Sequence, residues 1–140
     1  MARGTGIYVD ASKATAQCKA FEPALRKALM AALKKFRTDV VDRTPVGDPS
    51  YDPHPGLAKR SWSNVRKQGT GYAFDNPQSY TVTLEEGLYK HDGPRTVQMS
   101  DGIYSTQAPG GMMQPLLDDD SYIGAMCDDI LNTVVREVSR

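Results

Sequence analysis

Two histidines, two cysteines and a few clustered carboxylates are what this 140-residue sequence offers for chemistry. His54 in YDPHPG and His91 in YKHDGP both stand in proline- and glycine-rich stretches. Neither has a ligand partner one helical turn away, and neither belongs to an H-E-x-x-H frame, so the spacing builds no zinc site. Cys18 and Cys127 lie 109 positions apart, outside any C-x-x-C or Cys/His pattern, and read as free, half-buried thiols. Ser61 lacks the G-x-S-x-G elbow of a hydrolase nucleophile. Glu85 and Glu86 follow an alternating segment, and as strand residues they point to opposite faces and cannot share an acid/base pocket. GTG at 69–71 and APGG at 108–111 have no Lys-Ser/Thr behind them, so neither is a phosphate loop. Asp118, Asp119 and Asp120 read first as caps at a helix start and only second as a divalent-cation site. The residues predict no enzyme, no metal and no cofactor.

The elements around these residues are clearer than their chemistry. Phe21, Leu25, Leu29, Leu33, Phe36 and Val40 recur every three or four positions, which predicts a long helix from about Glu22 to Arg43. Pro23 suits its first turn, where a missing N–H does no harm. Before it, GIYVD predicts a short strand and DASKATAQCKA a short helix capped by Asp10 or Ser12. Pro45 ends the long helix, because the residue before a proline is pushed out of helical geometry. Eight of the nine prolines and nine of the twelve glycines fall between residues 45 and 115, so the middle of the chain belongs to turns and strands. SWSNVRK, a reversal at 69–71, YAFD and the alternating SYTVTLEEG predict a three- or four-stranded antiparallel meander half buried on the helix. Ile123, Met126, Ile130, Val134 and Val138 predict a C-terminal helix over residues 118–140.

The expected architecture is therefore an α+β single domain over residues 1–140, with the N-terminal helix on the sheet and the C-terminal helix closing it. Two long loops are expected, at 47–56 and 88–103; excursions of that length in a compact domain usually bind or move. Hydrophobic residues make up 39% and charged ones 24%, ordinary values that point away from disorder. The apolar runs are too short to span a bilayer, and the first residues lack the apolar core of a secretory signal, which predicts folding in the cytoplasm. Formal net charge is zero, but residues 1–67 carry 13 Lys/Arg against 6 Asp/Glu, and residues 68–140 carry 4 against 11. If the halves form different faces, one copy's basic face can meet the next copy's acidic one; if they interdigitate, the charges cancel. The basic helix face of Arg26, Lys27, Lys34, Lys35 and Arg37, with Lys59, Arg60, Arg66 and Lys67 around Trp62, keeps a nucleic-acid-binding protein as the alternative.

Four blocks then occur in a specific order. Thr44, Pro45 and Val46 close the long helix. Gly56 and Leu57 lead to Ser61 and Trp62. Asn76, Tyr80, Leu84, Glu85 and Gly87 follow, and Gln107, Ala108, Pro109, Gly111 and Met112 come last. Together they resemble the neck and tail-completion proteins of long-tailed bacteriophages, the family named for gene product ten of a Hong Kong lambdoid phage and related to the minor tail protein Z of phage lambda. Two stretches depart from that pattern: GDPSYDPHP, residues 47–55, lengthens the loop before Gly56, and LYKHDGPRTVQMSD, residues 88–101, is inserted after Leu-Glu-x-Gly.

The resemblance implies a non-catalytic virion protein, assembled in the host cytoplasm, that forms a six-fold ring in the neck. Its partners would be copies of itself, other neck and connector proteins, and tail-tube or terminator proteins, with DNA passing through unread and no membrane involved. On that reading the ring contacts are expected at Arg26, Lys34, Arg37, Tyr51, His54, Lys90, His91, Arg95, Met112, Met113, Asp118 and Asp119. Pro109 and the glycines would set a turn that delivers Met112 and Met113 either to a subunit contact or to the core of the monomer.

Overall fold

Alanines at positions 11, 14, 16 and 20 give the first part of the chain strong helix propensity, and the helix begins there rather than at Glu22. In the computed structural model, which describes residues 6, 8, 10–46, 49–50, 53–85, 96–99, 102–105 and 111–140, α1 runs unbroken over Ser12–Arg43 with Pro23 inside it. The short helix and the long one expected from the sequence are one element. The Asp10 carboxylate accepts the Ser12 amide at 3.0 Å at its start. Pro23 removes the hydrogen bond to the Lys19 carbonyl, and both residues are exposed, so the loss falls on the solvent side of the helix. The helix ends as expected at Thr44, whose backbone is extended ahead of Pro45.

The chain continues through α2 (Leu57–Arg60), the hairpin strands β1 (Arg66–Gln68) and β2 (Gly71–Ala73), α3 (Tyr80–Glu85), β3 (Thr96–Met99), β4 (Gly102–Ser105), α4 (Gln114–Leu117) and α5 (Asp120–Val138). The reversal expected at 69–71 is present: Gly69 takes a left-handed φ of 59°, and Lys67 pairs with Tyr72 across the antiparallel ladder. The expected three- or four-stranded meander is not found among the described residues, which form two separate two-stranded ladders. One strand is missing because SYTVTLEEG is helical at Tyr80–Glu85. Asn76 Oδ1 accepts the Gln78 amide and the Gln78 carbonyl accepts both the amide and the hydroxyl of Thr81, so a side-chain turn starts a helix here. Thr81 and Leu84, three apart, are buried, while Tyr80 and Val82 are exposed. Packing at helical spacing overrides the β propensity of the alternating residues. β3 and the first half of β4 lie in the segment expected as a long loop, with Val97 opposite Tyr104.

Two clusters hold these elements together. Phe36, Val40, Trp62, Leu84 and Met112 form the main core, with Phe74, Met113, Leu116, Tyr122 and Met126 against it. Phe74 meets Trp62 edge-on, with ring centroids 5.6 Å apart, and Phe36 lies 6.0 Å from Phe74. Ala24 and Ala28 pack against Val134 of α5, with Leu25, Ile130 and Val138 at the margin. Of the predicted α5 stripe, Met126, Ile130, Val134 and Val138 pack in these two clusters. The predicted α1 stripe is only half right: small residues let α5 approach closely, and Phe21 and Leu29 remain 50% and 40% exposed. Cys18 and Cys127 are free, and both are exposed rather than half buried. The strand expected at GIYVD includes residues outside the described set. Among the described residues no helix is long and apolar enough to cross a membrane.

Candidate functional site

Glu85 ends α3 beside the chain entering α4. Its carboxylate accepts the amides of Met112 at 2.9 Å, Met113 at 2.9 and 3.0 Å, and Gln114 at 2.8 Å. Three successive N–H groups thereby find one anion, the geometry of a charged cap at a helix start. From the other side, the Arg43 guanidinium at the end of α1 donates to the Met112 carbonyl at 3.1 Å and to the Gly111 carbonyl at 3.4 Å. One short backbone segment is therefore read on its donor side by a carboxylate and on its acceptor side by a guanidinium. Gly111 has a φ of 100°, and a Cβ there would stand 2.4 Å from the Glu85 carbonyl oxygen. Met112, 0% exposed, fills the space beneath.

A second junction joins the first two sequence blocks. Trp62 donates its indole N–H to the Thr44 hydroxyl at 2.8 Å, and that hydroxyl donates to the Val40 carbonyl at 2.8 Å. Both groups are buried and both are satisfied. Arg37 donates to the carbonyls of Ser63 and Trp62, holding the segment after α2 to α1. Asn76 donates to the Ala58 carbonyl at 2.7 Å, tying α2 to the approach to α3. Gly56 precedes α2 with a φ of 79°, and Leu57 opens that helix.

The expected contact residues divide accordingly. Arg26 pairs with Glu22 at 2.6 Å on the surface, and Lys34 and His54 are also exposed. Arg37 and Met112 face inward, so Arg37 is a structural donor and Met112 a core residue; Met113 packs on the same core. Asp119 caps α5 by accepting the Tyr122 amide at 3.1 Å, and Asp118 accepts from the Gln114 side chain at 2.7 Å. No cluster of three metal-ligating side chains occurs among the described residues. Among the block residues, Pro45 is half buried and Val46 is exposed. Tyr51, Gly87, Lys90, His91, Arg95, Gln107, Ala108 and Pro109 lie outside the described residues.

Sequence reasoning missed Arg43 and the Tyr122–Asp39 pair. An arginine in the last turn of a helix is one signal for Arg43, since it faces whatever packs at that end. The tyrosine hydroxyl donates to Asp39 across 83 positions of sequence, and no local pattern marks it. Partial burial first, and then the bond to Asp39, push the Tyr122 phenol above its ordinary range. Ion pairs move carboxyls the other way: Asp75 is lowered by its hydrogen bond from Arg66, and Glu137 by its bond from Lys27. Lys27–Glu137 at 2.8 Å and Lys35–Asp129 at 3.7 Å join the basic and acidic halves along α1 and α5, so part of the opposed charge is matched within the chain.

Leu29, Leu33 and Phe36 of α1, Tyr72 of β2, and Met126 and Ile130 of α5 line an open apolar groove of about 350 Å³. No protein-family model, curated protein or solved structure matches this chain.

Proposed function

We propose that this chain is a structural protein of a tailed-bacteriophage virion, built into the neck between head and tail as a ring of identical copies around the DNA channel. The observation that carries the reading is the meeting of Glu85 with Gly111, Met112 and Met113. The Leu-Glu and Gly-Met blocks behind the resemblance are far apart in sequence, yet each needs the other to complete one junction. Their joint presence has a physical cause, which scattered dipeptides would lack. Thr44 and Trp62 supply the same argument for the two earlier blocks.

The blocks act mechanically on this reading. They tie α1, α2, α3 and α4 to one another, and the contacts with neighbours are assigned to the long loops at 47–56 and 88–103. The protein would assemble in the host cytoplasm, with a hexamer matching the tail tube and with connector, tail-tube or terminator proteins above and below. DNA would pass without sequence recognition. The nucleic-acid-binding alternative has less support, because Arg37 donates inward and Lys27 and Lys35 face carboxylates of α5.

Interrupting the gene in the phage that encodes this chain tests the proposal. Filled heads and finished tails should accumulate unjoined, and supplying the chain in trans should restore joined particles. Normal joined, infectious particles from the interrupted phage would contradict it.

A further inference from the structure

α5 has an inner and an outer face. Ile130, Val134 and Val138 pack toward Ala24 and Ala28 of α1, and Tyr122 and Met126 pack on the main core. At 3.6 residues per turn the outer face carries Asp128, Leu131, Asn132, Val135 and Arg136, and all five are exposed. Leu131 and Val135, one turn apart, are 60% and 56% exposed, more than any large apolar side chain of α1. They form one ridge of that face, and Asp128, Asn132 and Arg136 form the ridge beside it.

The charges of this face are left over within the chain. Asp129 faces Lys35, and Glu137 faces Lys27 and Arg140, but neither Asp128 nor Arg136 makes an ion pair among the described residues. They are too far apart to meet each other, eight residues or about 12 Å along the axis at 1.5 Å per residue. Acid, amide and base at every fourth position are, however, their own complement when the helix is reversed. A twofold axis through Asn132 sets Asp128 of each copy level with Arg136 of the other, and lays the two Leu131–Val135 ridges side by side.

We infer that the outer face of α5 docks antiparallel on the same face of α5 in a second copy of this chain. The occupant is a second copy because the match is reciprocal: one ridge supplies both the acid and the base that its mate requires. Such a contact closes at two copies, so it describes the free chain and goes beyond the ring reading above. One helix face is smaller than a standard interface, so the dimer is weak and forms as the protein is concentrated.

Exposed charges can be exchanged without touching the core, and the full-length chain serves for the test. Asp128→Arg alone and Arg136→Asp alone should each weaken association about tenfold or more in sedimentation equilibrium, because like charges then meet twice across the axis. An equal mixture of these two variants should associate as the parent does, since every facing pair is then opposite. The single chain carrying both changes should do the same, and the differences should shrink in salt. Leu131→Ser should weaken association with no change of charge. A cooperative Trp62 fluorescence transition in each variant separates a lost contact from a lost fold.

A chain that stays monomeric at its highest soluble concentration overturns the inference. So does a mixture of Asp128→Arg and Arg136→Asp that associates no better than either variant alone. A parent dimer indifferent to Leu131→Ser places the contact elsewhere and overturns it as well. All three outcomes leave the ring reading standing, since that reading is decided in the phage.

Discussion

The carbonyl oxygen of Glu85 lies 2.4 Å from the point where a Cβ on residue 111 would sit, so Gly111 is required twice, by its backbone angle and by its neighbour. No side chain flexes out of the way, because the blocking atom is backbone. Gly111→Ala should destabilise the fold by about 1–3 kcal/mol, combining left-handed strain with displacement of the Glu85 clamp. A chemical-denaturation midpoint within error of the parent would refute this.

Glu85→Gln keeps the shape of the clamp and removes its charge. One amide oxygen then faces three N–H groups, and the amide's own NH2 is brought against donors. The expected loss is about 1–3 kcal/mol, with the tryptophan fluorescence transition of Trp62 moving to lower denaturant.

Thr44→Val is close in shape and deletes the acceptor of the Trp62 indole N–H. A buried donor without a partner costs about 1–3 kcal/mol, so this variant should be less stable than Thr44→Ser, which keeps the hydroxyl. Equal stability of Thr44→Val and Thr44→Ser would show that the 2.8 Å bond contributes nothing.

The titrations have opposite signs at the two ends of the pH scale. Tyr122 has a folded pKa above its usual 10.0, so its contribution is present below pH 10 and is lost as the pH rises beyond it. Tyr122→Phe should flatten the alkaline fall in stability. Asp75 and Glu137 have folded values below their usual 3.8 and 4.5, so their contributions hold above those values and are lost as the pH falls through the lowered ones. Asp75 is exposed and the Lys27 partner of Glu137 is exposed too, so the acid effect should be small and should shrink in salt. Melting followed from pH 2 to pH 11 in the parent and in Tyr122→Phe checks both limbs.

Helices were legible wherever apolar residues recur over many turns, as in α5, where Val134, Ile130 and Val138 pack as their spacing predicts. The shorter α3 was not legible. Tyr80, Val82 and Leu84 alternate as a strand would, and only the tertiary burial of Thr81 and Leu84 decides for helix. Pro23 suits a first helical turn, where its missing N–H does no harm, yet α1 begins eleven residues before it, at Ser12. The junction was half legible. Glu85, Gly111 and Met112 were picked out as motif residues, but their meeting depends on where α3 ends, and the part of Arg43 depends on where α1 ends. Met112 went to the core because the Glu85 clamp turns its side chain toward Phe36 and Val40, a consequence no local pattern announces.

The reading of this chain as a ring-forming neck protein is tested most directly by averaged electron micrographs of intact particles in which it carries a small fused label. Several equivalent copies of the label around the axis at the head–tail junction are the predicted result. Particles without the label, or with a single copy and no symmetry mates, would contradict the account.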